Sequence, residues 1–292
     1  MKLVTSLESM ARLRDELRRV GKRVGFVPTM GALHPGHQSL VERARAESDV
    51  VVSSIFVNPL QFGPSEDFER YPRDLDGDRA KLEAAGCDVL FTTSPSAMYP
   101  HGFQTYVVPE GSLAARFEAA VRPGHFRGVA TIVLKLLNIV GPTRAYFGRK
   151  DAQQLAIVKR MVSDLNVPVQ IVPCPTVREP DGLAMSSRNA YLSAEQRAAA
   201  PAIYRALRAA RARICKGERS AAALRTELTS DLRSAFGVDP DYAELVDPAS
   251  FEPLGEAIPE QRNVLAPILA IVAQRVGTTR LLDNARLDED GL

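Results

Sequence analysis

Pro28-Thr29-Met30-Gly31-Ala32-Leu33-His34-Pro35-Gly36-His37 sits between an apolar run and an amphipathic segment, and its reading decides the fold. Val24, Phe26 and Val27 read as the end of a buried strand, Pro28 and Gly31 break it, and Ser39 to Ala46 resumes as a helix with Leu40, Val41 and Ala44 on one side. Two of the four histidines of the chain fall in this strand-to-helix turn. Main-chain N–H groups at a helix start lack intrahelical partners and carry the positive end of the macrodipole, so phosphate oxygens are favoured there. Glycines let the backbone come close. Imidazoles three residues apart can donate hydrogen bonds to charge that gathers on a phosphoryl group in transfer, which suits a departing pyrophosphate. A lone histidine at a Gly-Pro turn is ordinarily a structural hydrogen-bonding residue; two in one turn weigh toward a nucleoside triphosphate. The stretch is neither a P-loop nor G-x-G-x-x-G, and it holds no Cys, Asp or Glu to complete a metal ligand set. On pattern alone the structural and phosphate readings both stand.

Outward from this turn, β-branched apolar runs recur at Val24 to Val27, Val50 to Val57, Val89 to Phe91, Ala145 to Phe147 and Val169 to Val172. Helical periodicity fills the gaps, clearest at Val129, Ile132, Val133, Leu136, Leu137 and Val140, then at Leu155, Val158, Val162 and Leu165. The alternation predicts βα units around a mostly parallel sheet, with ligands outside the carboxyl ends of its strands. After about Pro175 the texture changes to an Ala- and Arg-rich helical stretch, Ala194 to Ile214, and a second helix near Ala221 to Phe236. Strands are expected at Tyr242 to Val246, Val264 to Ala273 and Arg280 to Asp283, and the acidic residues after Ala285 are expected to fray. The expected domains are residues 1–175 and a smaller α+β domain, 176–292, covering the active site.

The 292 residues carry 37 Lys and Arg against 35 Asp and Glu, so a charge of +2 gives no global reason to expect nucleic acid or an anionic membrane. Cys87, Cys174 and Cys215 are odd in number and widely spaced, which argues against disulfides or a zinc cluster and fits a reducing cytoplasm. No uninterrupted apolar stretch marks a secretory signal in the first residues, where Met10, Leu13, Leu17 and Val20 fall at helical spacing. The longest apolar run, Val264 to Ala273, contains a proline and is too short to cross a bilayer, so a soluble protein is expected.

Three further segments bear chemistry. Asn58-Pro59-Leu60-Gln61-Phe62 follows the second of these strands, so its neutral amides should emerge at the same sheet edge as the histidines, suited to a small polyol acid; a plain Asn-Pro turn is the alternative. The charges of Glu66-Asp67-Phe68-Glu69-Arg70-Tyr71-Pro72-Arg73 are expected to face solvent. Gly148-Arg149-Lys150-Asp151-Ala152-Gln153-Gln154 follows another strand and opens a helix, with Lys150 a mobile cation for phosphate and Asp151 a candidate cap. Met185-Ser186-Ser187-Arg188, after Asp181-Gly182, offers two hydroxyls and an Arg as a triphosphate clamp.

Together these segments, with Arg122-Pro123-Gly124-His125-Phe126-Arg127-Gly128-Val129 and Thr176-Val177-Arg178-Glu179 through Asn189, resemble the signature blocks of the pantothenate synthetase (pantoate–β-alanine ligase) family. The likeness runs in order over about residues 24 to 193, and Thr279 to Asn284 resembles the family's closing strand. The resemblance implies a Rossmann-like nucleotidyltransferase domain with a parallel sheet, in the cytidylyltransferase-like superfamily. It implies ATP-dependent joining of D-pantoate to β-alanine through a pantoyl adenylate, releasing AMP and diphosphate, on the way to coenzyme A. A mixed anhydride has the leaving group a free carboxylate lacks, and it must be shielded from water.

By the same resemblance, Met30, Gly31, Ala32, Leu33, His34, Pro35, Gly36 and His37 form the ATP-binding turn, with His37 as proton donor. Gln61 and Gln154 hold pantoate, Gln61 also lying near β-alanine, with Asn58 and Met30 beside the substrate. Gly148, Arg149, Lys150, Asp151, Val177, Met185, Ser186, Ser187 and Arg188 supply the other nucleotide contacts, and Lys150, Ser186, Ser187 and Arg188 stabilise charge. Mg2+ is expected on the triphosphate, with its protein ligands unspecified. A homodimer that binds neither nucleic acid nor membrane is implied. Arg149 stands where Glu is more frequent, and Gly77 where many members are acidic; Asp76 and Asp78 remain nearby, so a supporting role in magnesium binding or helix packing is expected to be altered rather than lost. A nucleotidyltransferase that leaves the adenylyl group on its product, and a regulator that binds nucleotide without turnover, are the rival readings. An aminoacyl-tRNA synthetase would need a further domain for the anticodon.

Overall fold

A computed structural model describes residues 1–64, 66, 68–261 and 264–289. The chain divides into two compact units, one of Met1–Arg149 with Gln153–Pro175, the other of Lys150–Ala152 with the residues from Thr176 onward. The first unit carries six parallel strands: β1 (Lys2–Val4), β2 (Val24–Thr29), β3 (Val50–Ile55), β4 (Val89–Thr92), β5 (Arg144–Gly148) and β6 (Gln170–Cys174). Their order is β1-β4-β3-β2-β5-β6. Successive strands run one way from β2 to β3 and β4 and the other way to β5 and β6. The order therefore reverses between β2 and β5, where open α/β sheets bind ligands. Three-residue β1 was too short to show a period, whereas the five predicted runs all became strands.

The helix after β2 begins at Pro35, a turn earlier than the apolar pattern at Ser39 suggested, and ends at Glu47. Proline suits a first helical position because its missing N–H would have no partner there. His37 thus lies in the first turn of a helix, and His34 is its N-cap. Leu33, Leu40, Val41 and Ala44 pack with Val27 of β2, Val51 of β3 and Leu82 in one buried cluster, which seats both ends of the turn.

The second unit has a three-stranded antiparallel sheet, β11-β10-β7, of β7 (Tyr242–Val246), β10 (Leu269–Val276) and β11 (Thr279–Arg286). A short pair, β8 (Glu260–Gln261) with β9 (Val264–Leu265), accompanies it. Helices Ala202–Cys215 and Ala221–Phe236 bury Leu207, Ala210, Leu224 and Leu228 in a core shared with Leu245, Val272 and Leu281. Two prolines correct the expected elements. Pro201 divides the Ala- and Arg-rich stretch into helices Ala194–Ala199 and Ala202–Cys215, and Pro267 lies in the gap that ends β9 before β10, so Val264 to Ala273 is not one strand. Nor does the chain fray after Ala285: Leu287 is buried, its N–H donates to the Ile268 carbonyl at 3.0 Å, and Asp288 accepts from the Ile268 N–H at 2.9 Å. Residues 290–292 lie outside the described residues. Among the described residues, no helix is long and apolar enough to cross a membrane.

Candidate functional site

In the first unit the turn from β2 is held by a residue far away in sequence. Asp78, in helix Leu75–Ala84 and 1% exposed, accepts from the Ala32 N–H at 2.7 Å and the Leu33 N–H at 2.8 Å, one on each carboxylate oxygen. Lys81 Nζ lies 3.6 Å from the same carboxylate and donates to the Leu33 carbonyl at 2.9 Å. Gly31 (φ +86°) and Ala32 (φ +52°) both take the left-handed conformation, and a Cβ on Gly31 would lie 3.0 Å from Asp78 Oδ2. Asp78 is therefore the anchor of the turn, a role the sequence did not disclose. Its helix starts at Asp74, which caps the Gly77 N–H at 3.0 Å; a Cβ on Gly77 would lie 2.1 Å from that cap, so glycine here accommodates it.

Much of the main chain of this turn is already engaged. The Gly31 N–H meets Thr29 Oγ1 at 3.3 Å, the His34 N–H meets His37 Nδ1 at 3.3 Å, and the His37 N–H meets the His34 carbonyl at 2.8 Å. Pro35 has no N–H. The N–H groups of Gly31, Ala32, Leu33, His34 and His37 are thus occupied by protein acceptors, and the two imidazoles are further groups suited to phosphate. Their ring centroids are 4.1 Å apart. Because His37 Nδ1 accepts from an N–H, the neutral ring carries its proton on Nε2, as a donor needs.

The turn after β3 is a 3₁₀ segment, Pro59–Gln61, capped by Asn58. Helix His125–Val140 approaches it so closely that a Cβ on Gly128 would sit 2.2 Å from the Leu60 carbonyl oxygen. The Gln61 carbonyl accepts from His125 Nδ1 at 2.9 Å and from Arg122 Nη2 at 3.3 Å, while Arg122 Nη1 donates to His125 Nε2 at 3.1 Å. A carbonyl can only accept and a guanidinium only donate, so His125 is the neutral Nδ1–H tautomer. Burial, aided by the Arg122 charge, lowers its pKa to about 4. Arg122 in turn forks onto Glu66 at 2.7 and 2.6 Å. Burial opposes ionisation of Glu66, but the Arg122 hydrogen bonds and charge outweigh it and hold the carboxyl below its ordinary value. Glu66 thus turns inward, contrary to the solvated face expected of its segment; Asp67 lies outside the described residues. Gln153 is buried and ties Leu113, Arg116 and Glu118 together, whereas half-buried Gln154 has no side-chain hydrogen bond among the described residues.

The second unit gathers the other expected residues. Val177 and Met185 face each other across a hairpin, the Met185 N–H donating to the Val177 carbonyl at 3.0 Å, with Arg178 bridged to Ala184. Arg178 forks onto Asp283 of β11 at 2.6 and 3.0 Å and lies 4.0 Å over the Tyr204 ring, which fixes the hairpin on its own sheet. Ser186 Oγ caps the 3₁₀ turn Ser187–Tyr191 by accepting from the Arg188 N–H at 3.3 Å. Asn284 Nδ2 donates to the Lys150 carbonyl at 2.7 Å, and a small pocket is lined by Lys150, Leu183, Ser186, Asn189 and Asp283. Lys150 Nζ is 3.3 Å from Asp151, which directly precedes helix Ala152–Asp164. Exposed Arg149 donates its N–H to the Cys174 carbonyl within the first unit, and Gly148 ends β5. Among the described residues, no three His, Cys, Asp or Glu converge on a metal position, and Asp78 is committed to the turn.

The profile of the family described as pantoate-beta-alanine ligase matches residues 2–286. A pantothenate synthetase of Herpetosiphon aurantiacus is 51% identical over 97% of this chain and 99% of its own, and one of Thermotoga petrophila is 50% identical over 98% and 100%. A crystal structure of pantothenate synthetase from Thermus thermophilus superposes with a TM-score of 0.91 at 50% identity, covering 99% of this chain and 100% of that one. A pantoate-beta-alanine ligase from Francisella tularensis, crystallised with beta-gamma ATP and beta-alanine, gives 0.79 at 35% identity, covering 99% and 98%.

Proposed function

Since the chain belongs to the pantoate–β-alanine ligase family, we propose that its ATP-dependent condensation of pantoate with β-alanine runs through a pantoyl adenylate. The pantoate carboxylate attacks the α-phosphorus, and the bond to the β-phosphate breaks to release diphosphate. The β-alanine amine then attacks the acyl carbon, the carbon–oxygen bond to phosphate breaks, and AMP leaves as the amine loses its proton. The observation that supports this reading best is the anchored turn at the reversal of the sheet, where His37 offers an Nε2–H at a helix start. Such a donor stabilises charge that grows on the departing diphosphate.

His34, His37, Lys150, Ser186, Ser187 and Arg188 are the residues assigned to the phosphates. Met30 to His37, Gly148 to Asp151, Val177 and Met185 are assigned to ATP more broadly, and Gln61 and Gln154 to D-pantoate. Residues 1–175 and 176–292 are taken as the two domains. Mg2+ would accompany ATP and offset the charge of its phosphates, its protein ligands unspecified. A cytoplasmic homodimer is part of the same proposal, in keeping with three free cysteines. Product analysis with ATP, D-pantoate and β-alanine, omitting each in turn, tests the pathway. ATP–pyrophosphate exchange that requires pantoate but not β-alanine supports the adenylate, and exchange that requires β-alanine refutes it.

A further inference from the structure

An amide can serve a ligand as donor or as acceptor, and the fold decides which for Gln61. Asn58 is 1% exposed, with its Oδ1 3.3 Å from the Leu60 N–H and its Nδ2 3.1 Å from the Gly128 carbonyl. One of these main-chain groups only donates and the other only accepts, so together they settle which end of the Asn58 amide is nitrogen. The other N–H of that nitrogen meets Gln61 at 3.1 Å, so the Gln61 atom there must be Oε1. Gln61 Nε2 then faces Met30 Sδ at 2.9 Å, a weak acceptor that a ligand oxygen would improve upon. Tyr99 completes the series by donating its hydroxyl to Asn58 Oδ1 at 2.8 Å. Both N–H groups and both lone-pair positions of Asn58 are thereby taken by protein groups.

We propose that Tyr99 and Asn58 are positioning residues that lock Gln61 as a hydrogen-bond donor, so that Gln61 reads an acceptor oxygen on pantoate. The inference rests on the assignment of Gln61 to pantoate made above, and it moves Asn58 from substrate contact to support. A sequence shows that Gln61 carries an amide. It does not show which end is presented, because that follows from Leu60, Gly128 and Tyr99 acting through Asn58.

Three variants test this by calorimetric pantoate binding and by KM for pantoate and for ATP. Tyr99→Phe removes one hydroxyl and keeps the ring against Phe56 and Phe103; Gln61→Ala removes the amide; Gln61→Glu keeps its shape with acceptors only. Tyr99→Phe should raise the pantoate KM roughly three- to tenfold, the range of one hydrogen bond, with ATP KM unchanged and the melting temperature only modestly lowered. Gln61→Glu should bind pantoate no better than Gln61→Ala, since its carboxylate has no N–H and repels an anion. Pantoate binding by Gln61→Glu within about threefold of wild type would overturn the donor assignment while leaving Gln61 as a pantoate ligand. A Tyr99→Phe enzyme with pantoate KM unchanged, or with both KM values raised alike, overturns the positioning role. If neither Gln61 variant alters pantoate binding, the substrate assignment itself fails and takes the inference with it.

Discussion

The turns at 30–37 and 58–61 follow neighbouring strands, β2 and β3, yet they are held in opposite ways. The first is fixed through its main chain by an ionised group from another helix, Asp78, and presents imidazoles. The second is fixed by neutral side chains and by His125 and Arg122 on its carbonyl, and presents an amide whose polarity is set. On the proposed assignment of the first turn to phosphate, it must hold its shape beside a polyanion, and charge-assisted hydrogen bonds to a carboxylate suit that. On the proposed assignment of the second turn to a small acid, recognition asks instead for an amide that cannot flip, and a closed set of complementary donors and acceptors provides that. Each turn is rigid for a different reason, and each reason can be removed separately.

The largest effect is expected from Asp78→Ala. It leaves the Ala32 and Leu33 N–H groups without their acceptor, and hydrogen bonds to a charged group are worth more than neutral ones, so about 3–5 kcal/mol of stability should go. Because Lys81 is partly exposed, the ion pair adds little to this. Urea unfolding measures the loss, and ATP binding should weaken with it. A variant as stable as wild type would show that the turn keeps its shape without the carboxylate.

Next comes His37→Ala, which removes the donor and leaves the anchor. Truncating one such donor costs about 3 kcal/mol of transition-state stabilisation, roughly a hundredfold in rate. The expected outcome is that slowing in pantoate-dependent ATP–pyrophosphate exchange, with a much smaller fall in urea midpoint than Asp78→Ala gives, since only the His34 N–H loses its acceptor. Normal exchange would assign the phosphate charge to other groups.

Much of this contrast lies beyond what the chain alone discloses. The strands after residues 24, 50, 89, 144 and 170 were legible because apolar runs and Pro or Gly breaks are local signals, and so was the placing of the histidines after the first of them. Asp78 was not, because nothing within its own helix marks a carboxylate that meets N–H groups more than forty residues earlier. Glu66 reads as one more charge in a polar run until Arg122 is brought to it. Pro35, Pro201 and Pro267 are a different case, since each marks a boundary that the apolar pattern alone misplaces.

The amide turn can be probed by pH. Folded His125 titrates near 4 and the unfolded chain near the ordinary 6.5, so between these values the unfolded chain holds the extra proton. Stability from this group is complete above about 6.5 and is lost as pH falls toward 4. Arg122 opposes protonation, and Glu66 and Glu118 favour it. Between pH 7 and 5 the loss should be about 2 kcal/mol. His125→Asn, which can keep an N–H near the Nδ1 position and does not titrate, isolates the contribution: its urea midpoint should fall less over this interval than that of wild type. Equal falls would show that His125 does not hold the turn as a neutral donor.

Lys81→Met should have the smallest effect, and it sharpens the comparison most. Lys81 stands 3.6 Å from Asp78 and donates to the Leu33 carbonyl, so the ion pair competes with the two N–H groups as what holds the turn at 30–37. The lysine side chain is 42% exposed, however, where water and salt screen the attraction, whereas the carboxylate is buried and bonded to both amides. Exposed pairs are worth at most about 1 kcal/mol. Methionine keeps the apolar stem, so Lys81→Met should lower stability by less than about 1 kcal/mol and alter the ATP KM by less than about fivefold. Added salt should narrow even this difference between variant and wild type, because it screens only the interaction that the variant lacks. A loss as large as that of Asp78→Ala would mean that the anchor is the ion pair, and the two turns would then differ less in kind than the geometry indicates.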